Sequence, residues 1–387
     1  MIINIDSPEE GKLKKFLEGR DDADSKRMRR FLTMPDLSRQ KGGPIAEVVE
    51  RSLETESLSK LDVIRVPEIV PVDVSFDVFN FPPDHIARST SDTYYVDKNN
   101  ILRTHTTVMW YYYINHPATQ ERLKNKEVVG SVCYGKVYRK DEIDRRHMNV
   151  FHQMDGWCIY PKSERIITTD DLKSILVEIA QAVFGPDIEY RFNADSFPYT
   201  YSSIEMEIRL HDSGIKGDAS GGWVEVLGSG IVHPNVLKNL GISPDEYNGW
   251  AFGFGLERLA ILSMNLPDIR LLWSEDERVK RQLKFGNAYQ EVSKYPPITR
   301  DISFVVSKGF VPNNYFDLIR DLGGDLVEEV KLLDTYEDAE KFGKDRVSYT
   351  YRIVYRSNDR TLVSSEVDII QNKLYTQTAE QFHAEVR

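Results

Sequence analysis

Apolar residues recur every three or four positions between residues 169 and 184, which predicts an amphipathic helix. The stripe consists of Leu172, Ile175, Leu176, Ile179 and Val183. Thr168 or Thr169 can cap this helix, and Gly185-Pro186 would end it. A second, mostly helical pattern runs from Pro44 to Leu61 and leads into a strand-like segment at 63–67.

Residues 132–157 are predicted to form a strand, a charged loop and a return strand. The strands cover 132–139 and 149–157. Arg139 ends the first strand, and His147 follows within the loop. An arginine in this place can bind an anion. A solvated hairpin also explains the loop, although not the aromatic and amide residues of the second strand.

Glutamates lie on one face of two further predicted strands. In 204–208 Glu205 and Glu207 point opposite to the apolar residues, and in 223–227 Glu225 points opposite to the two valines. Such carboxylates are either solvated or bind a ligand. Solvation is the default for a sheet with one open face, and ligand binding stays open as the alternative.

Residues 249–262 combine a glycine-rich strand with an amphipathic helix. Glycine weakens a strand because it packs nothing, so Gly253 and Gly255 indicate that another group approaches the backbone. Arg258 stands where the strand becomes a helix, and its guanidinium group matches a phosphate. By itself, the stretch fits a bulged core strand with a solvent-exposed arginine equally well.

The last hundred residues have the pattern of a separate domain. Strands are predicted at 300–306, 327–335 and 347–355, and helices at 313–322 and about 364–382. The resulting order, β-α-β-β-α-β with a short final strand, is that of a ferredoxin-like fold. This region holds 13 Lys and Arg against 17 Asp and Glu from residue 290 onwards, so its net charge does not by itself indicate RNA.

Composition narrows the class of protein. The chain has 387 residues, of which 41% are hydrophobic and 29% charged, and a net charge of −11, as in soluble globular proteins with two or three domains. Its apolar runs are far shorter than the ~20 residues of a membrane span, and it begins with neither a signal nor a transit peptide. We therefore expect a cytoplasmic protein, with a mature organellar form as the alternative. Cys133 and Cys158 show no metal-type spacing, and we expect them to be buried.

Four separated stretches resemble class II aminoacyl-tRNA synthetases, and within that class the single-chain, mitochondrial type of phenylalanyl-tRNA synthetase. They are Leu102-Arg103-Thr104-His105-Thr106, then Gly135-Lys136-Val137-Tyr138-Arg139 through Phe151-His152-Gln153, then Phe197-Pro198-Tyr199-Thr200, and Gly249 through Arg258 continuing to Asp276. The resemblance implies an α+β fold with an antiparallel sheet flanked by helices, followed by a ferredoxin-like βαββαβ domain.

The resemblance also implies a division of the chain. A catalytic domain is expected at 41–285, a linker at 286–295 and an anticodon-binding domain at 296–387. Residues 1–40 would be an N-terminal extension without a core of its own. Lys and Arg are frequent in its first 30 residues but alternate with Asp, so a solvated helical face is the expected structure there.

In this family ATP and Mg²⁺ serve the first step, and the resemblance implies which residues bind them. Arg139 would hold the α-phosphate, Arg258 the γ-phosphate, and His147 would lie near both. Gly253 and Gly255 would form the floor under the adenine and the adenylate. Glu225 and Glu205 are further candidates for contact with the nucleotide or the metal ion.

Phenylalanine would bind between the nucleotide and an aromatic pocket. Phe197 and Tyr199 would contact its ring, and Ala251 would leave room at the far edge of that ring. His105, Gln153 and Thr107 would orient its amino and carboxylate groups. Asp155 would retain the carboxylate that takes part in recognition of the amine, and Tyr95 is a further candidate for substrate binding.

Three of these positions depart from the usual family residues. Thr107 replaces serine and Asp155 replaces glutamate, so the hydroxyl and the carboxylate are both retained. Tyr199 replaces phenylalanine and adds a hydroxyl group to an apolar pocket, where it needs a partner. The hydroxyl would either point outward or admit a polar ring substituent such as that of tyrosine.

The implied activity is ligation of phenylalanine to the 2′-hydroxyl of the terminal adenosine of tRNA(Phe), through an adenylate. A monomer without a membrane anchor is expected, and Arg352, Arg356 and Arg360 are candidates for contact with tRNA. Two alternatives remain: a paralogue that activates another aromatic amino acid or uses another acceptor, and an inactive relative that only binds RNA. The last domain could also be purely structural.

Overall fold

The computed structural model describes residues 1–209, 222–292 and 295–387, so residues 293 and 294 of the expected linker lie outside the described residues. The chain forms two compact units. Unit 1 consists of Met1–Tyr138, Val150–Asn265 and Leu283–Ala288, and unit 2 of Arg139–Asn149, Leu266–Gln282 and Tyr289–Arg387. Within the described ranges, no helix is long and apolar enough to cross a membrane.

Unit 1 is built on an eight-stranded sheet and a small two-stranded one. Its strands are β1 (Ile2–Asn4), β2 (Asp62–Arg65), β3 (Ile69–Pro71), β4 (Asn100–Leu102), β5 (Val129–Tyr138), β6 (Val150–Pro161), β7 (Glu189–Ala194), β8 (Thr200–Arg209), β9 (Trp223–Val232) and β10 (Tyr247–Gly255). Its helices are α1 (Pro8–Glu18), α2 (Ala23–Thr33), α3 (Pro44–Leu53), α4 (Val72–Ser75), α5 (Met109–Ile114), α6 (Pro117–Lys124), α7 (Thr169–Phe184), α8 (Pro234–Asn239) and α9 (Leu256–Met264).

The large sheet has the order β1-β2-β5-β6-β10-β9-β8-β7. The pairs from β5 to β7 are antiparallel, as expected, whereas β1–β2 and β2–β5 are parallel. The sheet is therefore mixed, and it carries flanking helices, which confirms the α+β fold class. Side chains alternate between its faces, so Gln153, Asp155 and Trp157 of β6 point to one side and His152 and Met154 to the other.

Local sequence signals placed helix α7 correctly. The helix begins after Thr168, which forms a capping box with Asp171, and it ends at Gly185, where φ is 99°. Helix α3 is shorter than expected and ends at Leu53. Beyond it the chain turns, because the Thr55 hydroxyl donates to the carbonyl of Ser52 and the carboxylate of Glu178 accepts the N–H of Ser57.

Residues 1–40 pack onto the strands of unit 1. The apolar residues of α1 and α2 share a buried cluster with β3 to β6, and its members include Leu13, Leu17, Met28, Phe31, Ile69, Leu102, Tyr138 and Val150. The buried ammonium group of Lys136 donates to the carbonyls of Leu32 and Met34 over 2.9 and 2.8 Å. The end of α2 is thereby tied to β5. Most charged residues of α1 and α2 are exposed, and Arg27 is buried against Asp24.

Unit 2 has the expected ferredoxin-like order. Its elements are α10 (Glu277–Lys280), β11 (Ile298–Ser307), α11 (Pro312–Gly323), β12 (Val327–Tyr336), α12 (Ala339–Phe342), β13 (Arg346–Tyr355), α13 (Ser364–Phe382) and β14 (Glu385–Val386). The strands form an antiparallel sheet in the order β12-β13-β11-β14. Helices α11 and α13 cover one face of it, over a core that includes Phe304, Tyr315, Tyr351 and Tyr355.

Candidate active site

Asp155 lies at the centre of the residues expected to bind the amino acid. Its side chain is buried on β6, and it accepts hydrogen bonds from the hydroxyls of Thr106 and Thr107, the latter over 3.1 Å. The two threonines belong to a 3-10 turn at Thr106–Val108 that leads into α5. The structure therefore joins Thr107 and Asp155 directly, and it adds Thr106, which the sequence did not single out.

Gly253 makes room for Asp155. It lies opposite Asp155 in the β6–β10 register, and a Cβ atom added there would come within 2.3 Å of the Asp155 Oδ1 and 3.3 Å of the Gln153 amide nitrogen. The group that approaches this glycine is therefore a side chain of the protein. At Gly255, which pairs with Gln153, an added Cβ would meet no atom of the described residues within 4 Å, so these residues leave the space beside it open.

The expected aromatic pocket is assembled around Tyr199. Its ring stacks on that of Phe197 at 5.8 Å, and the Phe197 ring lies against Gly228, where an added Cβ would be 2.9 Å from it. Tyr199 also packs against the buried cluster that contains Ala251. Because Ala251 lies opposite Trp157 in the same strand register, this end of the site is lined by both residues.

Several aromatic residues of this site were missed by sequence reasoning. The ring of Tyr199 is edge-on to Phe79 at 6.2 Å and to Trp110 at 6.3 Å, and Trp110 stacks on Trp157 at 4.7 Å. Phe79 belongs to the segment 76–85, which is rich in phenylalanine and proline. No local signal distinguished Trp110 from an ordinary core residue.

His105 and Tyr95 lie at the edge of this aromatic group. The Nε2 of His105 donates to the carbonyl of Ser75 over 3.2 Å, and its ring faces Phe79 and Phe81. The Tyr95 hydroxyl donates to the carbonyl of Arg88 over 2.6 Å, and burial raises the pKa of that hydroxyl. Both side chains are thus held in place by backbone carbonyls.

Arg258 projects from the first turn of α9. Its side chain is 49% exposed, and its Nη1 donates to the Glu225 carbonyl over 3.1 Å and lies 3.5 Å from the Glu225 carboxylate. An exposed pair of this kind contributes little stability. The arginine can therefore leave Glu225 and bind a phosphate with little loss of free energy.

The glutamates of β8 and β9 form a short acidic row. Glu207 lies opposite Glu225 in the strand register, and the amide of Asn193 donates to Glu205 and Glu207 over 3.0 and 2.9 Å. Hard oxygen donors of this type suit Mg²⁺, which usually takes one or two carboxylates and completes its shell with phosphates and water. Among the described residues, no group of three or more His, Cys, Asp and Glu side chains could hold a metal ion by itself.

Arg139 and His147 belong to unit 2 and are described within it. The exposed Arg139 donates its backbone N–H to Asn149 over 3.0 Å, which continues the β5–β6 hairpin. His147 Nδ1 lies 2.8 Å from Asp144. Burial opposes ionisation of Asp144, but hydrogen bonds from His147 and from the N–H of Arg146 lower its pKa. Asp144 is therefore an anion that orients the His147 ring.

The rest of this loop is anchored within unit 2. Ile143 is buried in the core of the unit, and its carbonyl accepts the N–H of Val330 over 3.0 Å. The amide of Asn149 donates to the buried Asp317 over 3.1 Å. The charge pattern favoured a solvated loop, and Glu142, Arg145 and Arg146 are exposed. The Lys140 side chain, however, is only 8% exposed, and the charge pattern did not indicate that Ile143 would be buried.

Comparison with known proteins agrees with this geometry. Residues 32–283 match the family described as tRNA synthetases class II core domain (F), and residues 293–387 match the ferredoxin-fold anticodon binding domain. The chain is 38% identical over 330 residues to a chloroplastic/mitochondrial phenylalanine–tRNA ligase of Arabidopsis thaliana, a match that covers 82% of this chain and 71% of the relative. This chain belongs to the class II phenylalanine–tRNA ligase family.

Two further relatives give the same picture. A mitochondrial phenylalanine–tRNA ligase of Dictyostelium discoideum is 35% identical, with 79% of this chain and 74% of the relative covered. A mitochondrial phenylalanine–tRNA ligase of Saccharomyces cerevisiae is 30% identical, with 89% of this chain and 87% of the relative covered. The expected family and its two-domain composition are confirmed, and the chain is an aminoacyl-tRNA ligase.

The three arginines expected to contact tRNA differ in their surroundings. Arg352 forms two hydrogen bonds of 2.8 Å with Asp301, and Arg360 two of 2.8 and 2.6 Å with Glu366. Both arginines are about half exposed. Arg356 instead binds the buried Glu328 over 2.6 Å and the carbonyl of Tyr295. Arg352 and Arg360 are thus accessible to a phosphate, whereas Arg356 holds unit 2 together.

Both cysteines are free and buried, as expected. Burial raises the pKa of Cys133 to about 11 and that of Cys158 to about 12. The thiols therefore stay protonated near neutral pH and do not serve as nucleophiles.

Proposed function

We propose that the site in unit 1 binds phenylalanine and ATP and forms phenylalanyl-adenylate, which the chain then transfers to tRNA(Phe). The observation that carries this proposal is the buried carboxylate of Asp155, which two threonine hydroxyls hold on the sheet that also carries the stacked rings of Phe197 and Tyr199. Asp155 lies opposite Gly253, Gly253 lies opposite Gly228, and the Phe197 ring lies against Gly228. A carboxylate next to an aromatic pocket is complementary to an aromatic α-amino acid, because it can pair with the ammonium group while the rings enclose the side chain.

The amide of Gln153 extends the same recognition. Gln153 and Asp155 share one face of β6, where Asp155 fills the space beside Gly253 and Gln153 lies opposite Gly255, beside which the described residues leave open space. The amide would donate to the substrate carboxylate, which must remain ionised to attack ATP. The side chains of His105 and Tyr95 are each held by a hydrogen bond to a backbone carbonyl. They would form a rigid boundary of the site near the ring of the bound phenylalanine.

The reaction needs charge neutralisation and no protein nucleophile. The amino-acid carboxylate attacks the α-phosphorus of ATP in line, the bond to the β-phosphate oxygen breaks, and pyrophosphate leaves. Arg258 would bind the γ-phosphate. A preorganised donor of this kind typically contributes ~3 kcal/mol of transition-state stabilisation. The ribose hydroxyl of tRNA then displaces AMP from the acyl carbon.

Glu225 and Glu205 would hold Mg²⁺ in this scheme. The ion would offset the negative charge on the phosphates. Glu225 is the more accessible of the two and is already close to Arg258. Binding of ATP with its metal would thus replace the Arg258–Glu225 contact by two separate ones, an arginine–phosphate pair and a carboxylate–metal pair.

Unit 2 would bind the anticodon part of tRNA. Its match to an anticodon-binding family supports this assignment, and the exposed pairs of Arg352 and Arg360 can open towards phosphates at little cost. We propose that the chain acts as a monomer. The relatives are named as mitochondrial or chloroplastic enzymes, so they do not support the cytoplasmic location expected from composition, and we propose an organelle as the place of action.

Charging of tRNA tests the whole proposal. The purified chain should attach labelled phenylalanine to tRNA(Phe) in an ATP-dependent manner, and not to tRNA that lacks its terminal adenosine. A paralogue with another acceptor would form the adenylate but charge no tRNA. An inactive RNA-binding relative would do neither, and either result would refute the proposed reaction.

A further inference from the structure

His152 and Glu257 form a buried pair directly behind two proposed substrate-binding residues. His152 on β6 is fully buried, and Glu257 in the first turn of α9 is 4% exposed. Nδ1 of His152 lies 2.6 Å from Oε1 of Glu257, and the backbone N–H of His152 donates to both carboxylate oxygens, at 2.9 and 2.8 Å. Gln153 follows His152 in the chain, and Arg258 follows Glu257.

The other ring nitrogen of His152 fixes the position of its proton. The backbone N–H of Leu37 donates to Nε2 over 2.9 Å, so Nε2 acts as an acceptor and the ring proton lies on Nδ1. Asp36 Oδ1 is 3.5 Å from the same nitrogen but accepts hydrogen bonds from Ser38. Nδ1 therefore donates to Glu257, and the chain segment before α3 sets this tautomer.

This pair lies at the junction where β10 ends and α9 begins. Gly255 is the last residue of β10 and pairs with Gln153, and it is also the N-cap of α9 with no capping side chain. The carboxylate of Glu257 is therefore the group that fastens the first turn of α9 to β6. A buried carboxylate is costly unless its hydrogen bonds are satisfied, so loss of the His152 donor should let this turn move.

We propose that His152 and Glu257 are positioning residues for the adenylation step. Their bond fixes the distance between Gln153, on the amino-acid side of the site, and Arg258, on the phosphate side. Because side chains alternate along a strand, His152 points away from the substrate face that Gln153 occupies. The pair thus acts through its neighbours, and the proposal rests on the function proposed above for Gln153 and Arg258.

Two substitutions of the same histidine separate positioning from stability. Asparagine places its amide nitrogen near the position of Nδ1, so His152→Asn keeps a donor for Glu257 and loses the acceptor for Leu37. Glutamine reaches the position of Nε2, so His152→Gln keeps the contact with Leu37 and loses the donor. Glu257→Gln, which removes the charge at nearly constant volume, tests the pair from the other side.

The matched control is Asn248→Ala. Asn248 is also buried, and it bridges the far end of β10 to the loop after β6 through Ile167 and Arg165. Its loss should lower the melting temperature and leave both KM values of the folded enzyme unchanged. Gln153→Ala and Arg258→Ala provide the reference for loss of the substrate contacts themselves.

The readout is the KM for phenylalanine and for ATP in pyrophosphate exchange, measured beside the melting temperature. We expect His152→Gln and Glu257→Gln to raise both KM values together by roughly 10- to 100-fold, the scale of a misplacement of about 1 Å, and His152→Asn to stay within about threefold of wild type. Equal KM values for His152→Gln and His152→Asn, or a change in melting temperature alone, would overturn the positioning role. If Gln153→Ala and Arg258→Ala leave both KM values unchanged, the proposed function is wrong as well.

Discussion

The hydroxyl of Thr107 lies 3.1 Å from Oδ1 of Asp155 and donates to it, which aims a buried carboxylate into the space beside Gly253. The two residues are 48 positions apart in the chain. They depart together from the serine and glutamate typical of the family. The contact between a hydroxyl and a carboxylate is present in this chain between a threonine and an aspartate.

Asp155→Asn should remove the anion that pairs with the substrate ammonium group. A hydrogen bond to a charged group contributes about 1.5–3 kcal/mol, so we expect the KM for phenylalanine in pyrophosphate exchange to rise by roughly 10- to 100-fold, with the KM for ATP little changed. Thr107→Ser keeps the hydroxyl and is the matched control, which should remain close to wild type. A rise in the KM for ATP alone would contradict this role of Asp155.

Gly253→Ala and Gly255→Ala make a matched pair on one strand. The new methyl group at 253 would lie 2.3 Å from Asp155, whereas at 255 it would meet nothing within 4 Å in the ranges 1–209, 222–292 and 295–387 that the structure describes. We expect Gly253→Ala to lower the melting temperature and to weaken phenylalanine binding. Gly255→Ala should leave the fold intact and raise only the KM for ATP, because the nucleotide would use that space. Unchanged ATP kinetics in the second variant would remove Gly255 from the nucleotide site.

Arg258→Ala should slow pyrophosphate exchange by about 100-fold without unfolding the chain. Within the described part of the chain, its guanidinium group contacts Glu225, which is half exposed, so little stability is lost. Loss of one preorganised phosphate contact costs about 3 kcal/mol, or ~100-fold in rate. Arg165→Ala, in which a similarly exposed arginine loses its partner Asp171, is the control and should retain full activity. Normal exchange by Arg258→Ala would refute the phosphate assignment.

The arginines of unit 2 should respond in two different ways. Arg356→Ala leaves the buried Glu328 with one partner fewer and should destabilise unit 2 by roughly 2 kcal/mol. Arg352→Ala and Arg360→Ala break exposed pairs, and we expect unchanged stability but a higher KM for tRNA and a weaker dependence of tRNA binding on salt. Thermal unfolding and charging at several salt concentrations would distinguish the two classes. If all three variants lost stability, none of the three arginines could be assigned to contact with RNA.

Local signals were sufficient for much of the fold. The bounds of α7 followed from its apolar stripe, the cap at Thr168 and the glycine at 185, all of which are read within 20 residues. The strand-to-helix junction that carries Arg258 was found in the same way, from glycines followed by an amphipathic stripe. The ferredoxin-like order of unit 2 followed from alternating periods of two and 3.6 residues.

The parts that the sequence did not reveal depend on contacts between distant segments. The bond between His152 and Glu257 joins residues 105 positions apart, and the stacking of Trp110 on Trp157 brings together two tryptophans that read as ordinary core residues. Helix α3 ends before the predicted Leu61. Beyond its end, the backbone N–H of Ser57 donates to the carboxylate of Glu178, which is more than 120 positions away in the chain. No local pattern encodes such partners.

Activation of phenylalanine at this site can be measured by amino-acid-dependent pyrophosphate exchange, with phenylalanine and tyrosine assayed side by side. We expect ATP formation from labelled pyrophosphate with phenylalanine. Tyr199→Phe should increase the preference for phenylalanine over tyrosine, because it removes the polar group that a tyrosine hydroxyl could meet. A wild-type chain that exchanges with tyrosine and not with phenylalanine, or with neither, would contradict the assignment of this site to phenylalanine activation.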